Sequence, residues 1–275
     1  MASVVTDDAA TWSMIVETAR TNAHDYYLSA LLAPRAVRND LIVMAAFEGE
    51  LDRIAPMVSE PIRGEFRLQW WRDRMATSAI GEASGNPIAD AIADVVRRRA
   101  LPLDGLQASI DARSAALAPE EYVATEAAFT AFLDASEGAA MLRAARIMTG
   151  NVEKPRARQV IEAAGRARAL AMLAAAAGRG EASARRLLEH AAGAALLCAD
   201  RNAAPATALV ERARAQLDVV RQLLPGQSKA IRLAALPVAL VEPYLQGSQG
   251  EAESVSVLPI VRLWRLWRMA RLAKL

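Results

Sequence analysis

Three carboxylates raise the first question of chemistry. Glu48, Glu50 and Asp52 lie in AAFEGELDRIAPMVSEP, residues 45–61, where the spacing predicts a helix that stops at Pro56. Wound at ~100° per residue, residues 40–55 gather Val43, Met44, Phe47, Leu51 and Ile54 into an apolar stripe. Glu48 and Asp52, spaced i and i+4, share one border of that stripe; Glu50 takes the other. Carboxylates one turn apart can hold Mg²⁺, and Mg²⁺ can hold a diphosphate. A solvated helix border produces the same pattern, so a metal reading needs ligands from a second helix.

The next segment, PIRGEFRLQWWRDRM, puts Arg63, Arg67 and Arg74 together between Trp70 and Trp71. Ile62 and Phe66 extend the apolar side, and Glu65, Gln69 and Arg72 take the opposite face. The expectation is a row of arginines turned inward. A buried guanidinium needs an anionic partner. Glu48 and Asp52 would serve, with Arg63 and Arg67 as their mates, and so would a bound anion such as diphosphate.

These residues must be positioned by helices. The chain of 275 residues is 53% hydrophobic, rich in Ala and Leu, and has no sustained β-branched alternation. That composition predicts an all-α protein. Breaks at Pro34, Pro56–Pro61, Pro102, Pro119, TGNVEKP, GRGEAS and GSQGEAES are short, which predicts one domain, 1–275, of about ten helices. Pro119 at a first helical position predicts a helix over APEEYVATEAAFTAFL. A net charge of +2 gives no global field for nucleic acid. Cys198 is a lone cysteine and reads as a small buried apolar residue. His24 and His190 have no ligand cluster around them, and Asp90 and Asp94 read as ion-pairing with Arg97 and Arg98 on a solvated face. The N-terminus lacks the apolar core of a signal peptide, and no uncharged run reaches the ~20 residues of a membrane span. The expected location is cytoplasmic, with peripheral contact at the inner face of the membrane.

YYLSALLAPRAVRNDLIVMAAFEGELDRI, followed by VSEP and RLQWWRD, resembles the squalene/phytoene synthase family, with Arg38, Phe47 and residues 67–73 as the specific pieces. The resemblance implies an isoprenoid-synthase-type helical bundle around a central cavity, and two aspartate-rich motifs that bind Mg²⁺ and prenyl diphosphate. It makes Arg38, Arg63, Arg67, Trp70, Trp71 and Arg74 a candidate anion or prenyl-diphosphate pocket. The first metal motif falls on Asp52, but its partner position is Pro56, and Glu48 is the nearest substitute. The second motif, Q-x-x-N-x-x-R-D anchored at Gly165, falls on Ala169, Met172, Ala175 and Ala176. This blank motif resembles the family's non-catalytic branch, which includes the mitochondrial complex I assembly factor and bacterial relatives. The implied role is assembly of respiratory NADH dehydrogenase, with its subunits as partners, no catalytic residue and no cofactor. The alternatives are a prenyltransferase with a rearranged Mg²⁺ site at Glu48 and Asp52, or a metal-independent carrier of prenyl lipid or prenyl diphosphate.

The last helix, residues 256–274, spaces Arg262, Arg265, Arg268, Arg271 and Lys274 by three, so its charges drift around the axis. The expectation is a bundle-closing helix with Trp264 and Trp267 packed inward; contact with an anionic membrane is the other reading.

Overall fold

Proline and small polar residues set the helix ends. A computed structural model describes residues 8–77, 84–152, 154–193, 205–248 and 258–272. In chain order the α-helices are α1 (Ala9–Asn22), α2 (His24–Leu31), α3 (Arg35–Asp52), α4 (Pro61–Thr77), α5 (Pro87–Arg99), α6 (Asp104–Leu117), α7 (Pro119–Tyr122), α8 (Glu126–Leu133), α9 (Ala139–Thr149), α10 (Pro155–Gly178), α11 (Ala182–Gly193), α12 (Pro205–Leu223), α13 (Lys229–Ala234), α14 (Val241–Ser248) and α15 (Pro259–Leu272). The all-α expectation holds, but the helix foreseen over APEEYVATEAAFTAFL is split. Pro119 starts only the single turn α7; Thr125 then caps α8, its side chain accepting from the Ala128 amide at 3.1 Å. Asp8 and Asn86 cap α1 and α5 in the same way. Cys198 lies outside the described residues.

The apolar residues form two clusters. One is built mainly from α1–α6 and the other mainly from α8–α14, and Tyr26, Ala144 and Met148 pack against both. Helix α3 is the centre of the first. Every residue from Asp40 to Gly49 is buried, so α3 has a buried circumference rather than one stripe with two borders. Gly49 permits the close approach of α1: an added Cβ would stand 3.0 Å from the Asn22 Cβ and 3.2 Å from the Thr18 carbonyl. Helix α10 is the centre of the second cluster, packed against α12 and α14. A π-helical turn, Asp134–Gly138, joins α8 to α9, and α10 packs against it. A Cβ added at Gly165 would sit 2.4 Å from the Gly138 Cα.

Asp94 is buried rather than solvated. It binds Arg98 at 2.7 Å and Arg97 at 3.2 Å, and Arg98 and Arg99 continue to buried Asp40 at 2.9 and 2.6 Å, pinning α5 to α3. Asp90 instead accepts from the Ser84 amide at 2.7 Å. His24 and His190 each meet a backbone carbonyl, that of Arg20 at 3.0 Å and of Val123 at 2.8 Å, as core-edge histidines do.

Candidate functional site

Where α3 faces the second cluster, Glu48 is 2% exposed. Burial pushes its carboxyl above the usual range, while the Arg143 and Arg113 charges pull it back down. Arg143 of α9, itself buried, donates to Glu48 Oε1, to the Gly105 carbonyl and, at 2.9 Å, to Ser109 Oγ. Arg113 of α6 lies 2.9 Å from Glu48 Oε2 and 2.7 Å from Asp52. Burial works against its charge, but Asp52 and Glu48 outweigh that and hold it protonated. For Arg143, burial wins, and its value falls below the ordinary one.

A second polar group adjoins the first. The π-helical turn aims Glu137 inward, where it accepts from Tyr26 Oη at 2.5 Å and from Arg168 Nε at 2.8 Å. Arg168 of α10 also pairs with Asp25 at 3.0 Å and lies over the Tyr26 and Tyr244 rings at 5.3 and 5.7 Å. Asp25 further accepts from Tyr244 Oη at 2.6 Å and meets Arg262 of α15 at 3.2 Å. Burial opposes the Asp25 charge, yet Arg168 and Arg262 hold its carboxyl below the usual range. Tyr244 is pushed up to about 12, chiefly by burial. Between the two groups lies a cavity of only about 30 Å³, bordered by Tyr26, Met44, Glu48, Arg143, Met148 and Leu233. Small-molecule pockets run to roughly 300–1,000 Å³, so this space suits a water or two.

The arginines expected inward are elsewhere. Helix α4 buries Gly64, Leu68, Trp71 and Met75, an arc next to the one chosen from sequence. Arg63 and Arg67 face out, and Arg63 lies 3.5 Å from Glu60. The partners of Glu48 and Asp52 are therefore Arg113 and Arg143, not Arg63 and Arg67. Phe66 is 70% exposed and Ile62 56%. Arg72, read as facing outward, reaches Glu65 and Ser114 at 2.5 and 2.6 Å. Arg67, Trp70 and Trp71 do come together, with Glu50 and Arg53, along an open surface cleft of about 260 Å³. Arg38 donates to the Ala33 carbonyl at 3.0 Å, and Arg74 is half-buried. The six candidate pocket residues thus do not line one site.

Comparison with known proteins places this geometry. The squalene/phytoene synthase model matches residues 19–247. The chain belongs to that family. The fold is similar to squalene synthase HpnC from Alicyclobacillus acidocaldarius, at a TM-score of 0.65 and 17% identity, over 86% of this chain and 92% of that one. Two curated relatives are the NADH dehydrogenase (ubiquinone) complex I, assembly factor 6, of Bos taurus, 30% identical over 107 residues, and of Homo sapiens, 27% identical over 107. Each match covers 39% of this chain, which spans about a third of those relatives' length (32%).

A synthase of this family would use Mg²⁺, and the donor set here does not fit it. Glu48 is bound between two guanidinium groups, and Asp52 shares one of them. The position one turn after Asp52 is Pro56, in the turn Ala55–Met57. Helix α10 presents Ala169, Met172, Ala175 and Ala176, and methyl and thioether groups do not ligate a hard cation. Among the described residues no three His, Cys, Asp or Glu side chains gather at metal-binding range.

Sequence reasoning found Glu48 and Asp52 but missed Arg113, Arg143, Arg168, Asp25 and Glu137. A signal existed. Arg113 and Arg168 have no charged residue at i±3 or i±4, so neither has an ion-pair partner of that kind on its own helix.

Proposed function

We infer that this chain is a non-catalytic member of the squalene/phytoene synthase family that acts by binding, in assembly of respiratory NADH dehydrogenase, without a metal cofactor. The observation that carries the reading is the internal neutralisation of Glu48. Ionising a prenyl diphosphate needs several divalent cations to take up the leaving group's charge. Here the carboxylate best placed to help hold them is bound by Arg143 and Arg113, and the opposing helix supplies alanines. The small interior cavity also leaves little room for a prenyl chain. The role in assembly is carried over from the curated relatives, whose names describe complex I assembly.

Deletion of the gene tests it. The expected result is reduced assembled NADH dehydrogenase, seen by native gel and NADH oxidation, with an unchanged isoprenoid profile. Loss of a squalene- or phytoene-type product with normal NADH dehydrogenase would overturn it.

A further inference from the structure

Helix α15 divides its residues by face. Leu266 and Met269 are buried against the bundle, and Arg262 reaches inward to Asp25 at 3.2 Å and to Tyr244 at 3.4 Å. The opposite side carries Ile260, Leu263, Trp264 and Trp267, with Trp264 50% and Trp267 46% exposed. At ~100° per residue these four fall within about a third of the circumference. The tryptophans expected inward therefore point out, and closing the bundle and presenting an apolar face are not alternatives for this helix.

The charge on α15 has one sign, with Arg271 on the outward face, Arg268 at its edge and Arg265 round the helix beside buried Met269. From Leu258 to Leu272 there is no acidic residue. Arg262 has Asp25, but among the described residues Arg265, Arg268 and Arg271 have no carboxylate within ion-pair distance. Arg268 lies 4.7 Å over the Trp264 ring, and neither its Nε nor that of Arg265 has a hydrogen-bond partner. Burial and the Arg268 charge hold Arg265 below the usual arginine value, with Glu242 pulling the other way. Indole rings flanked by Arg268 and Arg271 match the headgroup region of a bilayer, where the ring sits among the glycerol groups and the guanidinium meets phosphate. A second copy would oppose like charge to like charge.

We propose that the outward face of α15 docks the protein on an anionic phospholipid surface, with Trp264 and Trp267 entering the interface and Arg268 and Arg271 binding lipid phosphates. The helix lies in the plane of the interface; no described helix is long and apolar enough to cross a membrane. Arg262 and its contact with Asp25 keep the bundle attached to the docked helix.

The full chain is sedimented with vesicles of phosphatidylcholine alone, or of equal parts phosphatidylcholine and phosphatidylglycerol. Binding is expected to the mixed vesicles only, to weaken with salt, and to fall at least about tenfold in Arg268→Gln/Arg271→Gln, since each basic side chain contributes on the order of 1 kcal/mol. Brominated acyl chains should quench the wild-type tryptophan fluorescence, a readout that needs no variant. Trp264→Phe/Trp267→Phe should lose that quenching while keeping the helical circular dichroism spectrum. Absence of binding, equal binding to neutral vesicles, or wild-type fluorescence untouched by brominated lipid would overturn the proposal. So would a concentration-dependent dimer that Trp264→Glu/Trp267→Glu dissolves, since the face would then belong to a second copy.

Discussion

Glu48 is held by charge, and the consequence is measurable. Breaking a buried pair from one side leaves a charge with neither water nor counter-ion. Glu48→Gln strands Arg143, which is 1% exposed, and is expected to destabilise by about 3–5 kcal/mol in urea denaturation. Removing both charges, in Glu48→Met/Arg143→Met, should cost under about 1 kcal/mol or stabilise, because desolvation of the pair disappears with it. A single-variant cost below about 1 kcal/mol would show that Glu48 does not neutralise Arg143. At this scale the sequence identified the acids but not their partners. Arg143 lies 95 residues from Glu48, and a helical wheel carries no information about contacts at that separation. Arg63 and Arg67 were plausible mates only because their helix comes next.

Helices α4 and α10 show what element-level patterns do and do not fix. On α4 the winding placed the arginines correctly relative to Trp70 and Trp71. The error lay in which arc faces the core, since Gly64 beside Leu68 and Met75 marks the close contact better than a larger exposed Phe66. An added Cβ at Gly64 would meet a Leu117 methyl at 2.6 Å, so small size at that position is the core signal. On α10 the sequence showed alanines at the second-motif positions, and Gly165 has a steric requirement of its own. There an added Cβ would meet backbone, the Gly138 Cα at 2.4 Å and its amide nitrogen at 2.6 Å. Gly165→Ala must push α10 off the π-helical turn that positions Glu137. The expected cost is about 1–3 kcal/mol, the usual range for overpacking, read as a lower urea midpoint. An unchanged midpoint would mean that the contact relaxes freely. The split of α7 from α8 was missed because Thr125 acts as an N-cap, a local competition that apolar periodicity does not register.

At the scale of the molecule, acids from the first cluster meet arginines from the second. Glu48 pairs with Arg143, and Asp25 with Arg168 and Arg262; Tyr26 meets Glu137 across the same boundary. The fold class and the family were legible in the sequence, since helix-forming composition and the motif wording of α3 and α4 suffice for both. The joined interior was not, because it depends on tertiary placement of α6, α9, α10 and α15. Internal ion pairs occupying the polar interior are the reason for reading the chain as non-catalytic. The most direct measurement is incubation of the purified full chain with Mg²⁺ and radiolabelled farnesyl or geranylgeranyl diphosphate, followed by extraction of apolar products. The expected result is no squalene- or phytoene-type product above a control without protein; product formation that Asp52→Asn abolishes would contradict the account.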